Sequence, residues 1–192
     1  MKTLAHHALA TVAASLISWP ALAGSLPAEL RGTLPVAALS GQATLRFWGF
    51  EVYLASLWVA PGFSASRYFD HGFALELVYL RDFSGADIAK RSLAEMARQT
   101  AIGPDQARRW GEQMGALFPD VKAGDRLTGI HLPGVGVRFV FNGQPLGEMF
   151  DAEFARLFFG IWLSPQTSEP KLRLALLPQL TAATGAALAT TP

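Results

Sequence analysis

Apolar residues in the first half of the chain alternate at a period of two. In FEVYLASLWV, Phe50, Val52, Leu54 and Trp58 fall on one face of an extended segment, and Tyr53, Ala55, Leu57 and Val59 on the other. The strand reads from Leu45, with Gly49 expected to bend or bulge it, and Pro61-Gly62 ends it. Phe73 to Leu80 (FALELVYL) is a second strand with both faces mostly apolar, which suits a central position covered on both sides. At Ser84 the period lengthens. Ser84 can cap a helix, with Asp87 three residues on favouring the positive N-terminal end. Ala89, Leu93, Met96 and Thr100 then form one stripe.

A second helix starts at Gly103-Pro104 and carries Ala107, Trp110, Met114 and Leu117 before Phe118-Pro119 closes it. Gly124-Asp125 turns into a strand from Arg126 to His131. Val135 to Phe141 alternates again, and Asn142-Gly143 signals a hairpin because both residues tolerate positive φ. Asp151 caps a third helix bearing Phe154, Leu157, Phe158 and Ile161. Ser168-Glu169-Pro170 starts a short fourth one through Leu177. Strands, two helices, strands and two more helices make an α+β domain, an antiparallel sheet with helices collected on one face.

The N-terminus stands apart from this pattern. Lys2 is followed by an uncharged apolar run from Ala8 to Trp19, then Pro20 and the small-x-small stretch Ala21-Leu22-Ala23. This reads as a secretory signal peptide over residues 1–23, cleaved before Gly24, and implies a periplasmic or secreted protein. The run is shorter than the ~20 residues a membrane span needs. The expected domain covers 24–180, and an uncharged Ala- and Thr-rich stretch from Thr181 is an expected mobile tail over 181–192.

The chain has 16 basic and 15 acidic residues. Lys2 is the one charged residue in the leader, so the mature protein is electrically balanced, and nothing in its charge points to nucleic acid. No cysteine is present, which excludes a disulfide scaffold, a thiol nucleophile and a thiolate metal site. Only His71 and His131 remain after cleavage, and no HExxH or paired Asp-x-Asp occurs; no metal or cofactor is expected, and both histidines read as structural. Gly134-Val135-Gly136 lies between strands and is too short for a dinucleotide fingerprint. Walker and GxSxG motifs are missing.

Four segments carry a resemblance. The pattern G-x-x-x-L-R-x-x-G-F-x-V-Y-x-A-x-L-W from Gly41 to Trp58, FPDVKAGDRL from Phe118 to Leu127, F-N-G-x-x-L-G from Phe141 to Gly147, and FFGIWLSPQTSEPKLR from Phe158 to Arg173 resemble the bacterial chalcone isomerase-like family. The resemblance implies an open-faced β-sandwich, a large antiparallel sheet with a layer of helices on one face. It also implies a cleft. Catalytic relatives close a flavanone ring there by intramolecular oxa-Michael addition, with an arginine for the phenolate and tyrosine, threonine and asparagine for the ketone. Others bind fatty acids without catalysis through arginine and tyrosine.

This chain departs from the catalytic set. Trp48 stands in the place of the threonine, Ile88 follows the stretch matching the tyrosine segment, and Glu95 falls where the asparagine belongs. Asn142 is the sole asparagine and serves a turn. Without ketone polarisation the developing enolate loses its main stabiliser, and one lost donor can cost roughly 10²–10³ in rate. The resemblance therefore favours an apolar small molecule, a fatty acid or lipid fragment, bound by Arg46, Trp48, Tyr53, Tyr79 and Arg81. Two other readings stand beside it: an intramolecular lyase (isomerase) on a chalcone-like or other enone, and a structural or partner-binding module of an envelope complex, marked by an exposed apolar patch.

Overall fold

The computed structural model describes residues 25–177. The expected leader over 1–23 and the tail from Thr181 lie outside the described residues. Six strands form one antiparallel meander in chain order: β1 (Ala38–Phe47), β2 (Phe50–Val59), β3 (Phe73–Tyr79), β4 (Arg126–Leu132), β5 (Gly136–Phe141) and β6 (Gln144–Met149). Helices α1 (Gly85–Ala97) and α2 (Pro104–Leu117) lie between β3 and β4. Helices α3 (Ala152–Leu163) and α4 (Pro170–Leu176) follow β6. Phe83 and Val121 exchange backbone hydrogen bonds of 3.0 and 2.9 Å and close the helical excursion at its base. The α+β reading holds: a six-stranded sheet with its helices on one face.

The helix starts form where the residues predict them. The Ser84 hydroxyl accepts from Asp87 N at 3.1 Å, and Asp151 accepts from Phe154 N at 2.9 Å. The second Asp151 oxygen accepts from Trp110 Nε1 at 2.9 Å and ties α2 to α3. Helix α1 ends at Ala97, so Thr100 falls beyond the stripe assigned to it. The main core lies between the sheet and the helices. Phe73, Leu75, Leu77 and Phe139 from the strands meet Met96, Met114, Phe154 and Phe159 from the helices. On the opposite face a strap through Leu30 and Leu34 covers Trp58, Ala74, Ile130 and Val140.

One element differs from the sequence reading. LRFWGFEVYLASLWV is two strands joined by a tight hairpin, not one strand with a bend. Phe47 pairs with Phe50, and Trp48-Gly49 forms the turn at φ 52° and 83°. Positive φ at both central residues is the turn whose twist suits a hairpin. The run of apolar residues hides this turn, because Trp48 occupies a position that usually announces itself as asparagine or aspartate. Strand β1 was not foreseen over its first half, where ALSGQAT has small and polar residues. The reason is its neighbour: α4 crosses β1 so closely that a Cβ on Gly41 would overlap the Ala175 carbonyl, and Ser40 Oγ donates to Leu176 O at 3.0 Å.

Candidate functional site

A bulge on β2 sets the geometry of the site. Leu45 pairs with Tyr53 but Arg46 pairs with Glu51, which leaves Val52 as the extra residue. Simple alternation put Phe50 and Tyr53 on opposite faces. The bulge instead brings both to the helical side, where they line a cleft with a cavity volume of about 620 Å³. The hairpin supplies one wall, with Leu45, Phe47 and Trp48 beside them. The end of β3 and its continuation add Leu77, Tyr79 and Arg81. Helix α1 contributes Ile88, Arg91, Ser92 and Glu95, and α3 contributes Phe158, Ile161 and Trp162.

Two tyrosine hydroxyls are held inside. Tyr53 and Tyr79 meet edge to face, with ring centroids 6.1 Å apart. The Tyr53 hydroxyl accepts from Trp162 Nε1 at 2.9 Å, so its own hydrogen is left to donate. Tyr79 is 4% exposed, and its hydroxyl has no hydrogen-bond partner among the described residues. Burial pushes both hydroxyls well above the usual phenol range, so each remains a neutral donor. The cations lie nearer the mouth. The Arg81 guanidinium sits 4.9 Å above the Phe50 ring. Arg91 sits 5.9 Å above Phe47 and pairs with Glu95 at 2.7 Å.

Of the five candidate residues, four line the cleft: Trp48, Tyr53, Tyr79 and Arg81. Arg46 does not. One register step puts it on the other face of β1, where it forms a 2.6 Å ion pair with Glu51 in solvent. Placing Arg46 in the cleft was the expectation to correct, and strand parity overturns it. Sequence reasoning missed Arg91, Ser92 and Trp162. A signal for the first two exists: Arg91 and Ser92 lie three and four residues after Ile88 and four and three before Glu95, so all four share one helical face. Ile88 and Glu95, which replace the catalytic tyrosine and asparagine in the resemblance, do stand on the cleft wall.

The chalcone isomerase-like family model matches residues 33–178. The chain belongs to the chalcone isomerase-like family. An uncharacterized protein of Haemophilus influenzae is 32% identical over 131 residues, 68% of this chain and 63% of its own length, so the chain spans under two thirds of that relative. Among solved structures, the Arabidopsis thaliana fatty-acid binding protein AtFAP1 superposes with a TM-score of 0.59 at 11% identity. The match covers 76% of this chain and 89% of that one. At that identity the likeness is one of fold: it places this chalcone isomerase-like chain on the open-faced sandwich expected from its motifs.

Proposed function

We propose that the chain is exported by removal of residues 1–23 and binds an apolar carboxylic acid, such as a fatty acid, in the cleft without chemically changing it. The cleft carries this reading. Its volume lies within the roughly 300–1,000 Å³ of small-molecule sites, and its walls are aromatic and aliphatic, with a few convergent donors. A carboxylate would take a charge-assisted bond from Arg81 and a second from the Tyr79 hydroxyl two residues earlier. The acyl chain would lie along Leu77, Phe118, Leu127 and Phe158, all lining residues. The fold likeness to a fatty-acid binding protein supports the ligand class. The isomerase alternative fits less well, since a carboxylate at Glu95 would oppose an enolate where the reaction needs a donor.

Native mass spectrometry of protein purified from its own host, with titration by dodecanoate to hexadecanoate, tests the proposal. A fatty-acid adduct and saturable uptake are expected. Arg81→Ala weakens uptake roughly tenfold or more, while Arg46→Ala leaves it unchanged. Ligand-free protein in every preparation together with no uptake would refute the assignment. Cell fractionation, and an N-terminus at Gly24 in the mature protein, tests export.

A further inference from the structure

The β1–β2 hairpin tip leaves large aromatic surface in water. Phe47, Trp48 and Phe50 are 51%, 87% and 60% exposed, and all three also rim the cleft. Turn tips are ordinarily polar, for mechanical reasons as much as for solubility. The molecule contains its own comparison. The β5–β6 hairpin turns at Asn142-Gly143 with φ 50° and 81°, within a few degrees of the 52° and 83° at Trp48-Gly49. The two turns share one backbone geometry, and asparagine is the residue that geometry favours. Tryptophan there is disfavoured at positive φ and leaves a large ring in solvent, so turn formation does not account for it.

The surroundings match one kind of partner. Guanidinium groups of Arg81 and Arg91 lie over the rings of Phe50 and Phe47. Among the described residues no carboxylate lies within ion-pairing distance of Arg81. Rings that can enter an apolar layer while adjoining cations stay wet are the pattern of a membrane–water interface. A protein interface asks more: about 800 Å² from each partner, which one two-residue turn falls short of. Among the described residues no helix is long and apolar enough to cross a membrane.

We propose that this tip docks on a lipid surface. Trp48, Phe47 and Phe50 enter the interfacial zone, Arg81 meets a phosphate headgroup while the cleft is empty, and the cleft mouth faces the bilayer. The docking role stands on the tip's own geometry and goes beyond the assignment of a ligand. It also gives a reason for the tip's position: a molecule that partitions into lipid could reach the cleft without crossing water.

Sedimentation with vesicles of phosphatidylethanolamine and phosphatidylglycerol tests it, comparing the mature protein with Trp48→Asn. Asparagine suits this turn, so the variant is expected to fold with an equal or higher thermal midpoint. Wild type is expected to sediment with vesicles, and Trp48→Asn to partition roughly tenfold more weakly or worse. Brominated lipid should quench a part of the fluorescence that Trp48→Asn lacks. Wild type remaining in the supernatant, or equal binding by both proteins, overturns the proposal. So does a dimer abolished by Trp48→Asn when neither protein binds vesicles. Fatty-acid uptake by wild type in vesicle-free buffer, measured alongside, reads the ligand assignment separately.

Discussion

His131 shows how one residue's chemistry follows from its place in the core. It is 3% exposed, its ring stacks on Phe73 with centroids 4.8 Å apart, and its Nδ1 lies 2.7 Å from the His71 carbonyl oxygen. A carbonyl can only accept, so Nδ1 carries the hydrogen and Nε2 does not. Burial lowers the pKa below the ordinary 6.5, partly opposed by that hydrogen bond. The folded state therefore binds this proton less tightly than the unfolded chain does. Its contribution to stability is complete above 6.5 and is withdrawn as pH falls through the lower folded value. Nuclear magnetic resonance should show the His131 ring titrating below the ordinary 6.5. Urea midpoints should fall as pH drops below 6.5, and a His131→Phe variant should flatten that slope. The structural role of this histidine was legible from the sequence; its tautomer and partner were not, because His71 lies sixty residues away.

Among the elements, those with a local chemical signature were legible. Ser84 and Asp151 each place an acceptor against an otherwise unpaired backbone N–H, and both start their helices where expected. Asp151 does more than cap. Asp151→Ala removes the bond to Phe154 N and also orphans the indole N–H of Trp110, which is 2% exposed. The expected cost is about 2–3 kcal/mol, against about 1 kcal/mol for Ser84→Ala, where an exposed cap and a surface hydrogen bond to the Asp87 carboxylate are lost and no buried donor is orphaned; urea unfolding of both variants checks the difference. The hairpin at Trp48-Gly49 is hidden in the sequence because its turn residue is apolar, whereas Asn142-Gly143 carries its own turn signal. The Val52 bulge was invisible for another reason. A bulge is a count of residues on two strands taken together, and neither strand alone records it.

The cleft belongs to the molecule as a whole. Its walls come from the hairpin, the end of β3, α1 and α3, segments that meet only when the helical layer packs on the sheet. A ligand that binds only the folded state should raise the thermal midpoint, by about 2.7 kcal/mol of stability at a hundredfold excess over the dissociation constant. Ile88→Trp, at a half-buried position on the cleft wall, places a ring in the cleft's empty volume. It should abolish the rise produced by fatty acid while keeping most of the ligand-free stability, which thermal scans with and without hexadecanoate would read.

The sequence by itself determined the α+β layout, the helix caps, one hairpin and the family, because each rests on local periodicity, turn chemistry or a motif of contiguous residues. The tertiary structure decided which side chains share the cleft. Arg46 and Arg81 looked equivalent as cations near a tyrosine. Strand parity turns Arg46 out to Glu51, and the path of the chain beyond β3 brings Arg81 to the mouth. Arg91 and Ser92 join the cleft wall only because α1 packs beside the hairpin. Facing direction depends on register, and register is a relation between segments that no single segment contains.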